Sequence, residues 1–140
     1  MLFRSDLELF GRHAAWMAGH GCAAIVTPGS LGEGGLLTLD EKRSLWSRAV
    51  ESVPDSVPVV AAVGACGTRE AEGIARAAEE CGCRGLMVLP PYAYAGDWRE
   101  TRAHFARVIT LEEIQTLEPA VLHEVSNPRV GSCKIGRAHV

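Results

Sequence analysis

The sequence predicts an α/β fold built on a parallel sheet. Segments with apolar residues at helical spacing alternate with short, continuous apolar runs along most of the chain. The apolar runs lack alternating polar residues, as expected for strands that helices cover on both faces. Because the segments follow one another as helix, strand, helix and strand, the connections imply right-handed parallel crossovers.

The first predicted helix leads into the first predicted strand. Ser5 and Glu8 have the spacing of a capping box, in which each side chain accepts a hydrogen bond from a free backbone amide. The residues that follow at helical spacing form one apolar face: Leu7, Phe10, Ala14 and Met17. Gly19 is expected to end the helix, and the apolar run at residues 22–27 predicts the first buried strand.

Three more helices and two more strands are predicted. Two of these helices are expected to open with capping boxes, Thr38 with Glu41 and Asp97 with Glu100, and the third is expected to open at Thr68. The apolar runs at residues 59–63 and 85–89 predict the second and third strands. The pattern changes after Ile109, where one short helix could follow without a strand before it.

Composition and charge exclude several classes of protein. The 140 residues, of which 47% are hydrophobic and 22% charged, have the composition of one globular domain. Fourteen basic residues against 17 acidic ones give a net charge of −3, too balanced for a nucleic-acid footprint. No apolar run approaches the roughly 20 residues of a membrane span, and no apolar stretch suggests a signal peptide. We therefore expect a cytoplasmic protein with neither nucleic-acid nor membrane partners.

The cysteines and histidines show no metal-ligand spacing. The cysteines are odd in number, five, and contain no C-x-x-C motif. Cys81 and Cys83 are too close together for the usual zinc knuckle. We expect free thiols and no metal site. His13 and His104 fall on predicted helices, where their rings are expected to be solvated or half-buried.

A glycine-rich segment, Gly29-Ser30-Leu31-Gly32-Glu33, directly follows the first predicted strand. Glycines at the carboxyl end of a strand let the backbone approach a small anion and direct amides towards it. Ser30 adds a hydroxyl donor, so a carboxylate is a natural ligand for this turn. An ordinary glycine-rich loop fits the segment equally well.

Two further loops follow the other predicted strands. Pro90 and Pro91 stiffen the exit from the third strand and hold the next tyrosines, Tyr92 and Tyr94, in one direction. A tyrosine hydroxyl can relay protons, although an isolated tyrosine more often packs its ring on the loop. Residues 64–68 add Gly, Cys and Thr after the second strand. Three strands that deliver such residues to their carboxyl ends indicate an active-site face.

Five segments carry a family resemblance, in order along the chain: Gly29–Glu33, Leu37–Lys42, Val57–Val60, Val63–Gly64 with Gly67–Thr68, and Leu89–Tyr92. Together they resemble the dihydrodipicolinate synthase / N-acetylneuraminate lyase family. The resemblance implies a (β/α)8 barrel of about 250 residues, so this chain is expected to be a partial barrel with the early βα units only. It also implies a homo-oligomeric lyase of the class I aldolase type, in which a lysine forms a Schiff base with pyruvate or a related 2-oxo acid, without a cofactor.

The resemblance assigns roles to individual residues. Ser30 stands where a hydroxyl contacts the substrate carboxylate and joins the proton relay. Leu31 replaces the usual second threonine of this loop, so it keeps the backbone amide but loses a hydroxyl. The aromatic relay position of the family falls on Ala93, which makes Tyr94 the nearest candidate after a one-residue shift and Tyr92 the other.

The Schiff-base lysine of the family has no counterpart in this chain. The nearest matching position holds His123, and a neutral imidazole cannot replace a primary amine in forming an iminium. Lys42 is expected to be a solvated helix residue, and Lys134 lies in an unmatched tail. The chain alone is therefore expected to be inactive.

These departures predict a truncated member of the family. Residues 1–109 are expected to form the partial barrel, residues 110–134 an out-of-register remnant of a later βα unit, and residues 135–140 a non-native tail. Two alternatives to a lyase stay open: a non-catalytic half-barrel that keeps the carboxylate loop, and a truncation product without function. Because a partial barrel leaves strand edges and apolar surface uncovered, we also expect self-association.

Overall fold

The computed structural model describes residues 6–91 and 96–109, together with the backbone of residues 123–124 and 134–135. Its main part alternates helices and strands: α1 (Leu7–Gly19), β1 (Ile25–Thr27), α2 (Leu39–Ser52), β2 (Val59–Val63), α3 (Thr68–Glu80), β3 (Gly85–Val88) and α4 (Trp98–Ile109). Two short strands, β4 (His123–Glu124) and β5 (Lys134–Ile135), pair antiparallel with each other. None of the helices described is both long and apolar enough to cross a membrane.

The three main strands form one parallel sheet in the order β1-β2-β3. In this sheet Ile25 pairs with Val59, and Ala61 pairs with Leu86. A helix connects each strand to the next, so the chain repeats one βα unit along the sheet. The predicted α/β class is therefore confirmed.

The caps of α2 and α4 are those predicted. Thr38 and Glu41 form a reciprocal box at the start of α2, in which each residue's side chain accepts from the other's backbone amide. At α4 the Asp97 carboxylate accepts from the Glu100 amide at 2.9 Å, and the Glu100 carboxylate accepts from the Asp97 amide at 3.2 Å. These bonds pair backbone amides that have no partner inside the helix.

The start of α1 and the length of β1 differ from the prediction. Asp6, and not Ser5, is the N-cap, and its carboxylate accepts from the Leu9 amide at 2.9 Å. Aspartate is as strong an N-cap as serine, so the helix begins one residue later than predicted. Leu9 then occupies the third helical position and has no side-chain acceptor, so Asp6 caps the helix without a reciprocal partner. The first strand is limited to Ile25–Thr27, shorter than the apolar run that predicted it.

The core lies between the sheet and the layer of helices. The side chains of Val59, Ala61 and Val63 alternate along β2 and all belong to this core, whereas Val60 between them is half-buried. The opposite face of the sheet is more open at its edge, where Val26 is 48% exposed. The helices thus cover one face of the sheet, as in the wall of a barrel.

Candidate functional site

The carboxyl ends of the three parallel strands meet at one edge of the sheet, which we call the carboxyl edge. The segments that leave the strands there are residues 28–38, 64–67 and 89–97. These segments contain the three loops that the sequence predicted at an active-site face. The topology therefore brings the glycine-rich loop, residues 64–67 with Thr68 at the start of α3, and the beginning of the proline-rich segment to a common edge.

The glycine loop, residues 28–36, folds on itself through backbone hydrogen bonds. The Gly29 carbonyl accepts from the amides of Gly32 at 3.1 Å and Gly34 at 3.0 Å. The Ser30 carbonyl accepts from the Glu33 amide at 3.2 Å. The Leu36 amide also donates to the Glu33 carbonyl at 2.8 Å, so four of the loop's amides are bonded within the loop itself.

Gly34 is the residue that this shape requires. A Cβ at that position would lie 2.5 Å from the Pro28 carbonyl oxygen and 3.0 Å from the Gly29 carbonyl oxygen. Both are backbone atoms, so no side-chain movement could relieve the contact. The neighbouring Glu33 has a φ of 57°, a left-handed conformation that residues with side chains rarely adopt.

Ser30 and Leu31 form the exposed tip of the glycine loop. Neither backbone amide donates to another described residue, in contrast to the amides of Gly32 and Gly34. The Leu31 side chain is fully exposed, and Ser30 is also exposed. The tip therefore presents two free amides and one hydroxyl, which are donors suited to the oxygens of a carboxylate.

The predicted relay residues lie outside the described part of the structure. Tyr92 and Tyr94 both fall in the gap between residues 91 and 96. His123, which the resemblance offers as the nearest counterpart of the family lysine, lies in β4, and Lys134 lies in β5, but neither side chain is among those described. The roles of Tyr94 and His123 stay predictions.

His104 is buried, contrary to the prediction of a solvated or half-buried ring. His104 is 4% exposed, and its Nδ1 lies 3.0 Å from the hydroxyl oxygen of Thr68 at the start of α3. Burial lowers the pKa of the imidazole, because water no longer stabilises the charged form. The contact joins α4 to the first turn of α3, next to the carboxyl edge.

Lys42 is also buried, so the prediction of a solvated lysine is wrong. The residue is 6% exposed and belongs to the first turns of α2. Burial lowers the pKa of its ammonium group, and the Glu70 carboxylate acts in the opposite direction. The lysine therefore lies in the helix layer, against the start of α3, and not at a strand end.

Helical spacing alone could have indicated that Lys42 and His104 are buried. Lys42 shares the i, i+3, i+4, i+7 spacing of the buried Leu45, Trp46 and Ala49. His104 lies four residues before Val108, the other buried residue of α4. Long or polar side chains at such positions can bury their apolar parts, which residue type alone does not reveal.

The cysteines of the described residues are free: Cys22, Cys66, Cys81 and Cys83. Burial raises the pKa of the Cys83 thiol to about 12, so this group is protonated at neutral pH. In the described part of the chain, no three His, Cys, Asp or Glu side chains group closely enough to hold a metal ion.

Consecutive βα units with a glycine loop at the carboxyl edge form the arrangement found in one part of a (β/α)8 barrel. The chain belongs to the dihydrodipicolinate synthetase family, whose sequence model matches residues 6–135. This confirms the family expected from the sequence, and with it the partial barrel. The match also extends beyond Tyr92, the last residue of the segments that carried the resemblance.

Individual relatives include proteins named as dehydratases and synthases. It is 38% identical over 110 residues to a probable 5-dehydro-4-deoxyglucarate dehydratase of Saccharopolyspora erythraea, covering 76% of this chain and 35% of that protein. It is 35% identical over 103 residues to a 4-hydroxy-tetrahydrodipicolinate synthase of Chelativorans sp., covering 74% of this chain and 35% of that protein. The chain thus spans about a third of the length of these relatives.

Solved structures show the same likeness. A dihydrodipicolinate synthase of Cyanidioschyzon merolae, crystallised with lysine bound, superposes with a TM-score of 0.74 at 26% identity. The superposition covers 80% of this chain and 37% of that one. The enzyme of Aquifex aeolicus gives a TM-score of 0.72 at 29% identity, covering 79% of this chain and 37% of that one.

Proposed function

We propose that this chain carries the carboxylate-binding part of a lyase that acts on pyruvate or a related 2-oxo acid. The observation that supports this most is the tip of the glycine loop, where the amides of Ser30 and Leu31 stay free while those of Gly32 and Gly34 are bonded within the loop. A carboxylate takes such charge-assisted hydrogen bonds readily, because each donor faces a full negative charge.

The Ser30 hydroxyl has two roles in this proposal. It donates to one carboxylate oxygen of the substrate, next to the two free amides. It also begins a proton relay that continues through Tyr94 to the reacting carbonyl. Leu31 contributes only its amide, and its exposed side chain gives the site an apolar rim.

The chemistry of the complete enzyme requires a lysine amine. The amine adds to the 2-oxo carbon, water leaves, and the resulting iminium withdraws electrons from the adjacent carbon, so that a bond to that carbon can form or break. In this chain the matching position holds His123, and Lys42 lies buried in the helix layer. We therefore propose that the chain binds the 2-oxo acid without forming an iminium.

The complete protein is proposed to be a cytoplasmic homo-oligomer. Free thiols at Cys22, Cys66, Cys81 and Cys83 suit a reducing compartment. The exposed apolar side chains at the carboxyl edge, Leu31 and Leu36, suit contact with a further part of a barrel or with another subunit.

Titration of the chain with pyruvate, followed by chemical shifts of the labelled protein, tests the binding proposal. Ser30→Ala should weaken binding about tenfold, because one charge-assisted hydrogen bond is lost. Ser44→Ala is the matched control, since Ser44 is an exposed serine on α2 whose hydroxyl donates to the Asp40 carbonyl. Equal affinities for the two variants, or no binding by the unmodified chain, would contradict the proposal.

Reduction with borohydride in the presence of pyruvate tests the proposal that the chain forms no iminium. Borohydride delivers a hydride to an iminium and leaves a stable secondary amine, which intact-mass measurement detects. A full-length 4-hydroxy-tetrahydrodipicolinate synthase serves as the positive control. We expect an adduct on the control and none on this chain, whereas an adduct at Lys42 or Lys134 would show that the chain does form an iminium.

A further inference from the structure

His104 has one ring nitrogen that finds no partner. Nδ1 lies 3.0 Å from the Thr68 hydroxyl, but Nε2 is buried without a hydrogen-bond partner in the described structure. A neutral imidazole tolerates this arrangement, because only one of its nitrogens carries a proton. A protonated imidazole carries protons on both, so Nε2–H would be a charged donor buried without an acceptor.

The surroundings offer this cation little compensation. Desolvation is the cause that lowers the pKa of His104, and no described carboxylate forms an ion pair with it. The charged side chains on the two helices within about one turn of the contact are Arg69, Glu70 and Glu72 on α3 and Glu100, Arg102 and Arg107 on α4. The three acidic groups among them have other partners: Glu72 pairs with Arg107 at 2.7 Å, the Glu100 carboxylate accepts from the Asp97 amide, and the Glu70 carboxylate interacts with the buried Lys42 of α2.

The same two helices are joined a second time, one turn further along. Arg107 of α4 donates to Glu72 of α3, and this ion pair holds the pKa of the Glu72 carboxyl below its usual value. The pair therefore stays charged as the solution becomes mildly acidic. This ion pair is therefore not expected to cause a loss of contact between α3 and α4 in that range, whereas protonation of His104 would weaken the contact at Thr68.

We propose that His104 is a proton-operated latch, which holds α4 against the start of α3 when the ring is neutral and releases α4 when the ring is protonated. A buried imidazole can take up a proton only by reaching water, and α4 must move away from α3 to allow this. Because α4 follows the proline-rich loop of the carboxyl edge, acid would loosen one wall of that edge. The proposal does not depend on the function proposed above.

The direction of the pH dependence follows from the burial. The pKa of His104 in the folded chain lies below that of a free imidazole, about 6.5. The contact therefore contributes fully above about pH 6.5 and weakens as the pH falls from there towards the folded pKa. One proton is taken up on release, so the equilibrium for opening should shift by up to tenfold per pH unit in that range.

Amide hydrogen exchange of the whole chain between pH 7.5 and 5.0, corrected for intrinsic exchange rates, measures this opening directly. Protection of the α4 amides should fall with a slope approaching tenfold per pH unit, while that of α2 falls less. His104→Gln, which can still bond Thr68 but does not titrate, should flatten the slope to less than twofold in total. His13→Gln, at an exposed histidine on α1, should leave the slope unchanged.

Two outcomes would overturn the latch. One is an unchanged slope in His104→Gln, and the other is an α4 whose protection is low or independent of pH in the unmodified chain. If His104→Gln does not fold, an NMR pH titration of the His104 ring signals in the unmodified chain tests the proposal instead. Their titration midpoint should lie below 6.5, and a midpoint at or above 6.5 would overturn the proposal.

Discussion

The indole Nε1–H of Trp46 donates a 2.8 Å hydrogen bond to the backbone carbonyl of Thr27. This bond ties α2 to the last residue of β1, directly before the glycine loop. Trp46 is fully buried and Thr27 is 6% exposed, so water cannot replace either partner. The position of the glycine loop therefore depends on a buried side chain of α2.

Trp46→Phe should destabilise the chain by about 2–3 kcal/mol. The change leaves the Thr27 carbonyl buried without its partner and opens a small cavity in the core. Urea unfolding followed by circular dichroism measures the loss. Trp98→Phe, at a residue that is 56% exposed on α4, should cost less than about 0.5 kcal/mol. Equal losses of unfolding free energy in the two variants would show that the hydrogen bond to Thr27 does not stabilise the chain measurably.

Gly34→Ala should disrupt the glycine loop. The new Cβ would meet the Pro28 carbonyl oxygen, a backbone atom, so the turn that closes on Gly29 must open. We expect a loss of about 1–3 kcal/mol in the free energy of unfolding, together with changed amide shifts throughout the loop. In Gly29→Ala the Cβ meets no atom within 4 Å, so this variant should keep its stability. Similar behaviour of the two variants would contradict the close approach at Gly34.

Local signals predicted much of this fold, whereas contacts between elements could not be predicted in the same way. The caps at Thr38 and Asp97 depend on residues three positions away, so sequence spacing is enough to find them. The burial of Lys42 and His104 depends on which helix packs next to them. Sequence spacing places these two residues on apolar faces, but it does not reveal the partners at the start of α3, Glu70 and Thr68.

The candidate site also has features that the sequence predicted and features that it could not predict. The glycine-rich composition after β1 predicted a turn suited to a carboxylate, and the structure forms a closed turn there. Which amides stay free could not be predicted, because it depends on the bonds from Gly32 and Gly34 to the Gly29 carbonyl. The exposure of the Leu31 side chain likewise follows from the shape of the turn.

Cys83 should resist alkylation in the folded chain. Burial raises the pKa of its thiol to about 12, so only about one thiol in ten thousand is ionised at pH 8, and the group is shielded as well. Iodoacetamide followed by peptide mass spectrometry should modify the exposed Cys22 and Cys66 first. Cys83 should react only after denaturation, and alkylation of Cys83 at the rate of Cys66 in the folded chain would contradict its burial.

The amide exchange of the glycine loop, measured residue by residue with and without pyruvate, tests the carboxylate site most directly. Pyruvate should slow exchange at Ser30 and Leu31 at least about threefold, because their free amides acquire an acceptor. The amides of Gly32 and Gly34, already bonded to the Gly29 carbonyl, should change little. Uniform slowing across the loop, or no slowing at Ser30 and Leu31 at saturating pyruvate, would contradict a carboxylate site at this tip.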